Sequence, residues 1–161
     1  MNKKAVARFV VFVVIHVFLC VIALLYAVDH SREITQMAST DVEGIYIDGS
    51  DFTGIFRLLS VSVNGMISGL MAAIYFVLML FFSVLFLVPF RFIALRKLSA
   101  VTLRERNATL VVILAGTALA VLAALIFGGG AAASAILLFM VPTLLIEVLM
   151  YWLTLFFRCR K

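Results

Sequence analysis

Thirty-three consecutive residues, Leu58 to Phe90, carry no charge at all. As a helix rising 1.5 Å per residue this run would be about 50 Å long, against a bilayer hydrocarbon core of about 30 Å. A soluble domain of this size has no interior deep enough to hide such a segment. The chain therefore reads as one that threads a membrane, and its 66% apolar content over 161 residues agrees, since about half is usual for a globular domain.

Three further apolar runs surround it. The expected spans are about 5–28, 58–90, 108–127 and 131–157, in one transmembrane helical domain, 1–161. Pro89 is a natural end marker for the second. Gly128-Gly129-Gly130 separates the third from the fourth, because three successive glycines are costly inside a helix. Backbone groups in lipid must be satisfied within each segment, so the predicted fold is an all-α four-transmembrane-helix bundle.

The N-terminus imitates a signal peptide, with Lys3 and Lys4 before the apolar stretch from Phe9 to Val28. That stretch is long enough to span a bilayer, and Leu25 occupies a position where cleavage wants a small residue. The segment is expected to remain as a helix.

Charge placement predicts orientation. With the N-terminus inside, eleven Lys and Arg residues fall on the cytoplasmic side: Lys3, Lys4, Arg8, Arg91, Arg96, Lys97, Arg104, Arg106, Arg158, Arg160 and Lys161. Only Arg32 and Arg57 fall on the other. That bias predicts an N-in, C-in protein of the inner (plasma) membrane. Six of the eight acids then lie in an external loop, 29–57, between helices 1 and 2. The cytoplasmic loop, 91–107, mixes apolar and basic residues; topology control explains its charges better than an interfacial helix does. Because the basic residues sit at membrane boundaries, the net charge of +5 does not point to nucleic acid.

Few residues could carry chemistry. The fourth span holds the one intramembrane carboxylate, Glu147, on a helical face shared with Thr143, Tyr151 and Thr154. Its expected partner is His16: counted from Arg8 and Arg158, both groups lie roughly 12 to 17 Å from the same boundary. Such a pair could relay protons or bind a cation. A hydrogen-bonded pair that fixes helix register is the preferred reading. Tyr151 and Thr117 are lesser candidates for the same network.

Two ladders of small residues, Gly65, Gly69 and Ala73, and Gly116, Ala120 and Ala124, allow close helix approach. They are expected to pack against each other inside one bundle, with an oligomer interface as the alternative. Val42 to Gly49 alternates partly and ends in Asp-Gly, which hints at a hairpin. Glu43, Asp48 and Asp51 in that loop are candidate partner contacts, and no EF-hand spacing makes them a metal site.

Cys20 and Cys159 fall at different depths, and no CxxC pair, HExxH, GxSxG or P-loop occurs. No metal, cofactor or catalytic set is therefore expected. The functional expectation is a non-catalytic interaction or accessory subunit, including an immunity-type role, that meets another membrane protein or itself. The alternative is an oligomeric proton- or ion-coupled transporter or channel using Glu147 and His16.

Overall fold

The computed structural model describes residues 3–38, 46–47, 50–51, 53–92 and 103–158. Three helices dominate: α1 (Lys3–Ala38), α2 (Thr53–Phe90) and α3 (Leu103–Arg158). Two short strands, β1 (Tyr46–Ile47) and β2 (Ser50–Asp51), pair antiparallel with Ile47 opposite Ser50. All three helices are long and apolar enough to cross a membrane. The protein is a helical membrane protein.

The expected four-helix bundle is corrected to three helices. The chain from Leu103 to Arg158 is one helical element, with non-helical dihedrals at Gly129 (φ 70°, ψ −163°). The glycine run bends the helix rather than separating two spans with a loop. Positive φ is open to glycine at little cost, which is why the bend falls there. The bend doubles α3 back on itself. Gly116 and Glu147, thirty-one positions apart on α3, both lie against His16 of α1.

The expected 29–57 loop also shrinks from both sides. α1 continues to Ala38, and α2 starts at Thr53. Two hydroxyls in the added turns are satisfied by the helix itself: Ser31 donates to the Val28 carbonyl at 2.7 Å and Thr35 to the Ser31 carbonyl at 2.8 Å. Pro89 lies inside α2, one residue before its last, and Arg91 and Phe92 follow it in a π-helical turn, so the chain stays helical past the expected end marker.

Each helix contributes one stripe to the core. On α1 it is Phe12, His16, Leu19, Ala23, Ala27 and His30; on α2 it is Tyr75, Met79, Ser83, Leu87 and Phe90. The arm of α3 before the bend adds Thr109, Ile113, Ala120 and Ala124, and the arm after it adds Ala132, Ile136, Phe139, Thr143 and Glu147. The spacings of three and four are those of a single helical face. Alanines at Ala23, Ala27, Ala120, Ala124 and Ala132 let the backbones approach.

Contacts fix the relative heights of the helices. Along the antiparallel α1–α2 pair, Phe90 meets Phe12, Phe86 meets Phe18 and Tyr75 stacks on Tyr26. Beyond these, Asn64 donates to the Met37 carbonyl. The α3 bend lies level with Val28, whose Cα is 3.6 Å from where a Cβ on Gly128 would sit. Beyond that level α3 no longer accompanies the others. α1 runs on for about 15 Å to Ala38, and α2 for some 30 Å from Tyr75 to Thr53, at 1.5 Å per residue.

Candidate functional site

The centre of the core is polar. His16 and Glu147 are both fully buried. His16 Nδ1 lies 2.9 Å from Glu147 Oε1 and 3.1 Å from Oε2. His16 Nε2 is 3.5 Å from the Cys20 sulfur, one helical turn along α1. With the Nδ1 proton directed at the carboxylate, Nε2 is left to accept the Cys20 thiol proton. Phe12 stacks near-parallel with the imidazole, at 6.2 Å and 14°.

On the remaining edge of the ring sits Gly116. A Cβ there would fall 2.6 Å from His16 Nε2 and 2.8 Å from Cδ2. The glycine therefore brings the α3 backbone against the imidazole, and Ala120 and Ala124 continue that contact face as buried residues. This ladder packs α3 on α1. One turn from Glu147, Thr143 shares a 2.7 Å hydrogen bond with Ser83 of α2, and Ser83 also lies 2.7 Å from the Met79 carbonyl as donor. His16–Glu147 thus clasps α1 to α3, and Ser83–Thr143 clasps α2 to α3.

A second polar cluster lies near the level of the bend. Tyr75 donates to Asp29 Oδ2 at 2.6 Å, its ring stacked on Tyr26 at 4.8 Å and edge-on to Phe139 and His30. His30 Nδ1 and Glu33 Oε2 face each other at 3.8 Å, within ion-pair reach but beyond hydrogen-bond range, and neither atom has a hydrogen-bond partner among the described residues. Tyr75→Phe keeps the stack and loses the hydrogen bond. It is expected to lower stability by about 1 kcal/mol, as for one net hydrogen bond. A denaturant titration in mixed micelles measures this, and an unchanged midpoint would leave the Tyr75–Asp29 contact without energetic weight.

The two clusters are not joined. Tyr75 and Ser83 are two turns apart on α2, about 12 Å at the helical rise. Met79 fills the interval, with Ile136, Phe139 and Met140 of α3, all fully buried.

Gly65, Gly69 and Ala73 do not pack on the α3 ladder. All three are exposed, and nothing lies within 4 Å of a Cβ built at Gly65 or Gly69. Thr117 Oγ1 is buried without a hydrogen-bond partner among the described residues, so the structure does not join it to the pair. Tyr151 and Thr154 continue α3, but their side chains lie outside the described residues. Glu43, Asp48 and Cys159 lie outside them too, and for Asp51 only the backbone of β2 is described.

Sequence reading found His16, Glu147 and Thr143 but missed Cys20 and Gly116 as neighbours of the imidazole. The four-residue spacing of His16 and Cys20 could have signalled the first. The second needs the fold. Tyr26, near the end of the first apolar run, carried the signal of an interfacial aromatic; Tyr75 lies mid-way along the uncharged run 58–90, and its place beside Asp29 needs the fold.

Among the described residues no group of three or more His, Cys, Asp or Glu side chains could hold a metal ion. The His16 partners lie on opposite sides of its ring and do not converge on one point. Comparison with known protein families, with characterised proteins and with solved structures finds no match.

Proposed function

We propose that this chain is a non-catalytic interaction protein of the inner (plasma) membrane, an accessory subunit that presents the outer half of α2 to another polypeptide. One observation carries the reading. Between Thr53 and Ala73, beyond the level where α3 turns back, α2 carries a single charge, Arg57, and is largely uncovered: Leu58 is 71% exposed and Met66 76%. The residues of α1 that could cover it end at Ala38 and reach only one side. Asp29 is hydrogen-bonded to Tyr75, and with Arg32 and Glu33 it puts charged turns of α1 level with the α3 bend. Uncovered apolar surface rising past such a charged boundary, unlike the lipid-facing sides below it, favours an interaction site. The internal clasps serve this role by holding α2 fixed on its scaffold.

A photo-crosslinking amino acid at Met66, introduced into the full chain and activated in its own membranes, tests the reading. It is expected to trap a discrete polypeptide, whereas adducts with lipid alone would contradict it.

A second reading has its own observation. An ionisable pair inside a membrane is a functional candidate by default, and Glu147 and His16 touch. A proton- or ion-coupled transporter using that pair would show pH-dependent flux in liposomes that disappears in Glu147→Gln. The apolar interval around Met79 argues against it, because a proton path needs polar groups or water in sequence. The expected result is therefore no flux above protein-free liposomes in either protein.

A further inference from the structure

We infer that the polypeptide covering the outer half of α2 is a second copy of this chain, paired α2 to α2; the inference rests on the interaction reading above. Asn64, Ser60, Ser68 and Met71 are half-buried on the α1 side of α2. At 100° per residue, Ile55, Leu58, Leu59, Ser62, Gly65, Met66, Gly69 and Ala73 fall on the opposite side. That side is what α2 offers to an occupant.

Three features fit it to a copy of itself. The first is charge. Arg57 is the one charge from Thr53 to Phe90, and it falls on the α1 side. Two-fold symmetry brings each group near its own duplicate, and an uncharged face alone meets that without repulsion. The second is shape. Gly65 and Gly69 have open space above them, while large side chains flank them, so a groove lies beside ridges on the same face. Small residues four apart let two identical helices cross closely, each ridge lying over the other's glycines. The third is area. Ile55 is 56% exposed, Leu58 71%, Leu59 56%, Met66 76% and Leu70 63%, and with the glycines they provide area of the order of the roughly 800 Å² per partner that a stable interface buries.

Height selects the copy over an arbitrary helix. Two chains inserted in one membrane with the same orientation carry this face at the same level above the bend of α3. The charged turns of α1 at Asp29, Arg32 and Glu33 stand level with that bend and mark the bilayer edge in this reading, so lipid does not follow α2 beyond them.

Disulfide scanning of the full chain in its own membranes, with Cys20→Ala and Cys159→Ser as background, tests the pairing. Single cysteines at Ser62, Gly69 and Ala73 are expected to form disulfide-linked dimers on mild oxidation. Cysteines at Ser60 and Ser68, on the α1 side, are expected to form at least tenfold less. Gly69→Leu, for which the fold has room, is expected to reduce dimer crosslinking through Ser62→Cys about tenfold. Equal crosslinking around the helix, or no effect of Gly69→Leu, would overturn the inference. Failure of the two readings is separable through the Met66 photo-crosslink: an adduct with a different polypeptide overturns the second copy and keeps the interaction role, and lipid adducts alone remove both.

Discussion

Glu147→Ala is expected to be the most destabilising single substitution in the chain, by about 3–5 kcal/mol, the usual cost of breaking a buried pair from one side. The reason is local. Glu147 accepts from His16 Nδ1 inside a fully buried contact, with no solvent to replace it. Removing the carboxylate leaves a buried imidazole N–H without an acceptor and a void beside Thr143. Glu147→Gln keeps an oxygen in reach of Nδ1 and should lose far less, about 1 kcal/mol. The double variant His16→Leu, Glu147→Leu should recover most of the loss, since buried ion pairs are often replaceable by apolar groups of similar volume. Unfolding in mixed micelles, read by helix content for all four proteins, gives these differences. If Glu147→Ala matched wild type, the pair would not be a clasp.

The second large effect is expected at Gly116. Any side chain places its Cβ 2.6 Å from His16 Nε2, closer than real Cβ contacts come. The imidazole cannot easily retreat, because Glu147 holds its other nitrogen and the Phe12 ring packs near-parallel beside it. Either the ring leaves the carboxylate or α3 moves off α1. Gly116→Val should cost about 1–3 kcal/mol from overpacking, and more if the His16–Glu147 contact is lost as well. Gly69→Val is the matched control. Nothing lies within 4 Å of a Cβ at Gly69, so its effect on the stability of the single chain should stay within about 0.5 kcal/mol. Equal losses at the two glycines would mean that helix propensity, rather than the imidazole contact, sets the cost.

The residues that sequence could and could not disclose differ in a physical way. The apolar runs were legible because a bilayer sets their length. His16 and Glu147 could be paired in advance because both depths can be counted from basic boundaries, and an ionisable group in lipid needs a partner. The end of α1 was misread because Asp29, Arg32 and Glu33 look like a loop to a hydropathy reading, although polar residues do not stop a helix. The count of helices was misread at Gly128-Gly129-Gly130, where only Gly129 adopts non-helical dihedrals, so the two arms of α3 meet at a sharp bend with no loop between them.

The two small-residue ladders look alike in sequence, and they meet different fates. Gly116, Ala120 and Ala124 lie on the face of α3 that receives α1; Gly65, Gly69 and Ala73 lie on the face of α2 turned away from it. Spacing marks a face that can be approached closely. Which helix approaches it depends on the heights and rotations of all three, and those are properties of the assembled fold.

Native mass spectrometry of the full chain, released gently from its own membranes, reads the α2 pairing itself. A wild-type species with the mass of two chains is expected, with Gly69→Leu shifted toward the monomer and Tyr75→Phe not shifted. A wild-type protein that is monomeric at all concentrations, with the outer half of α2 intact, would contradict the pairing.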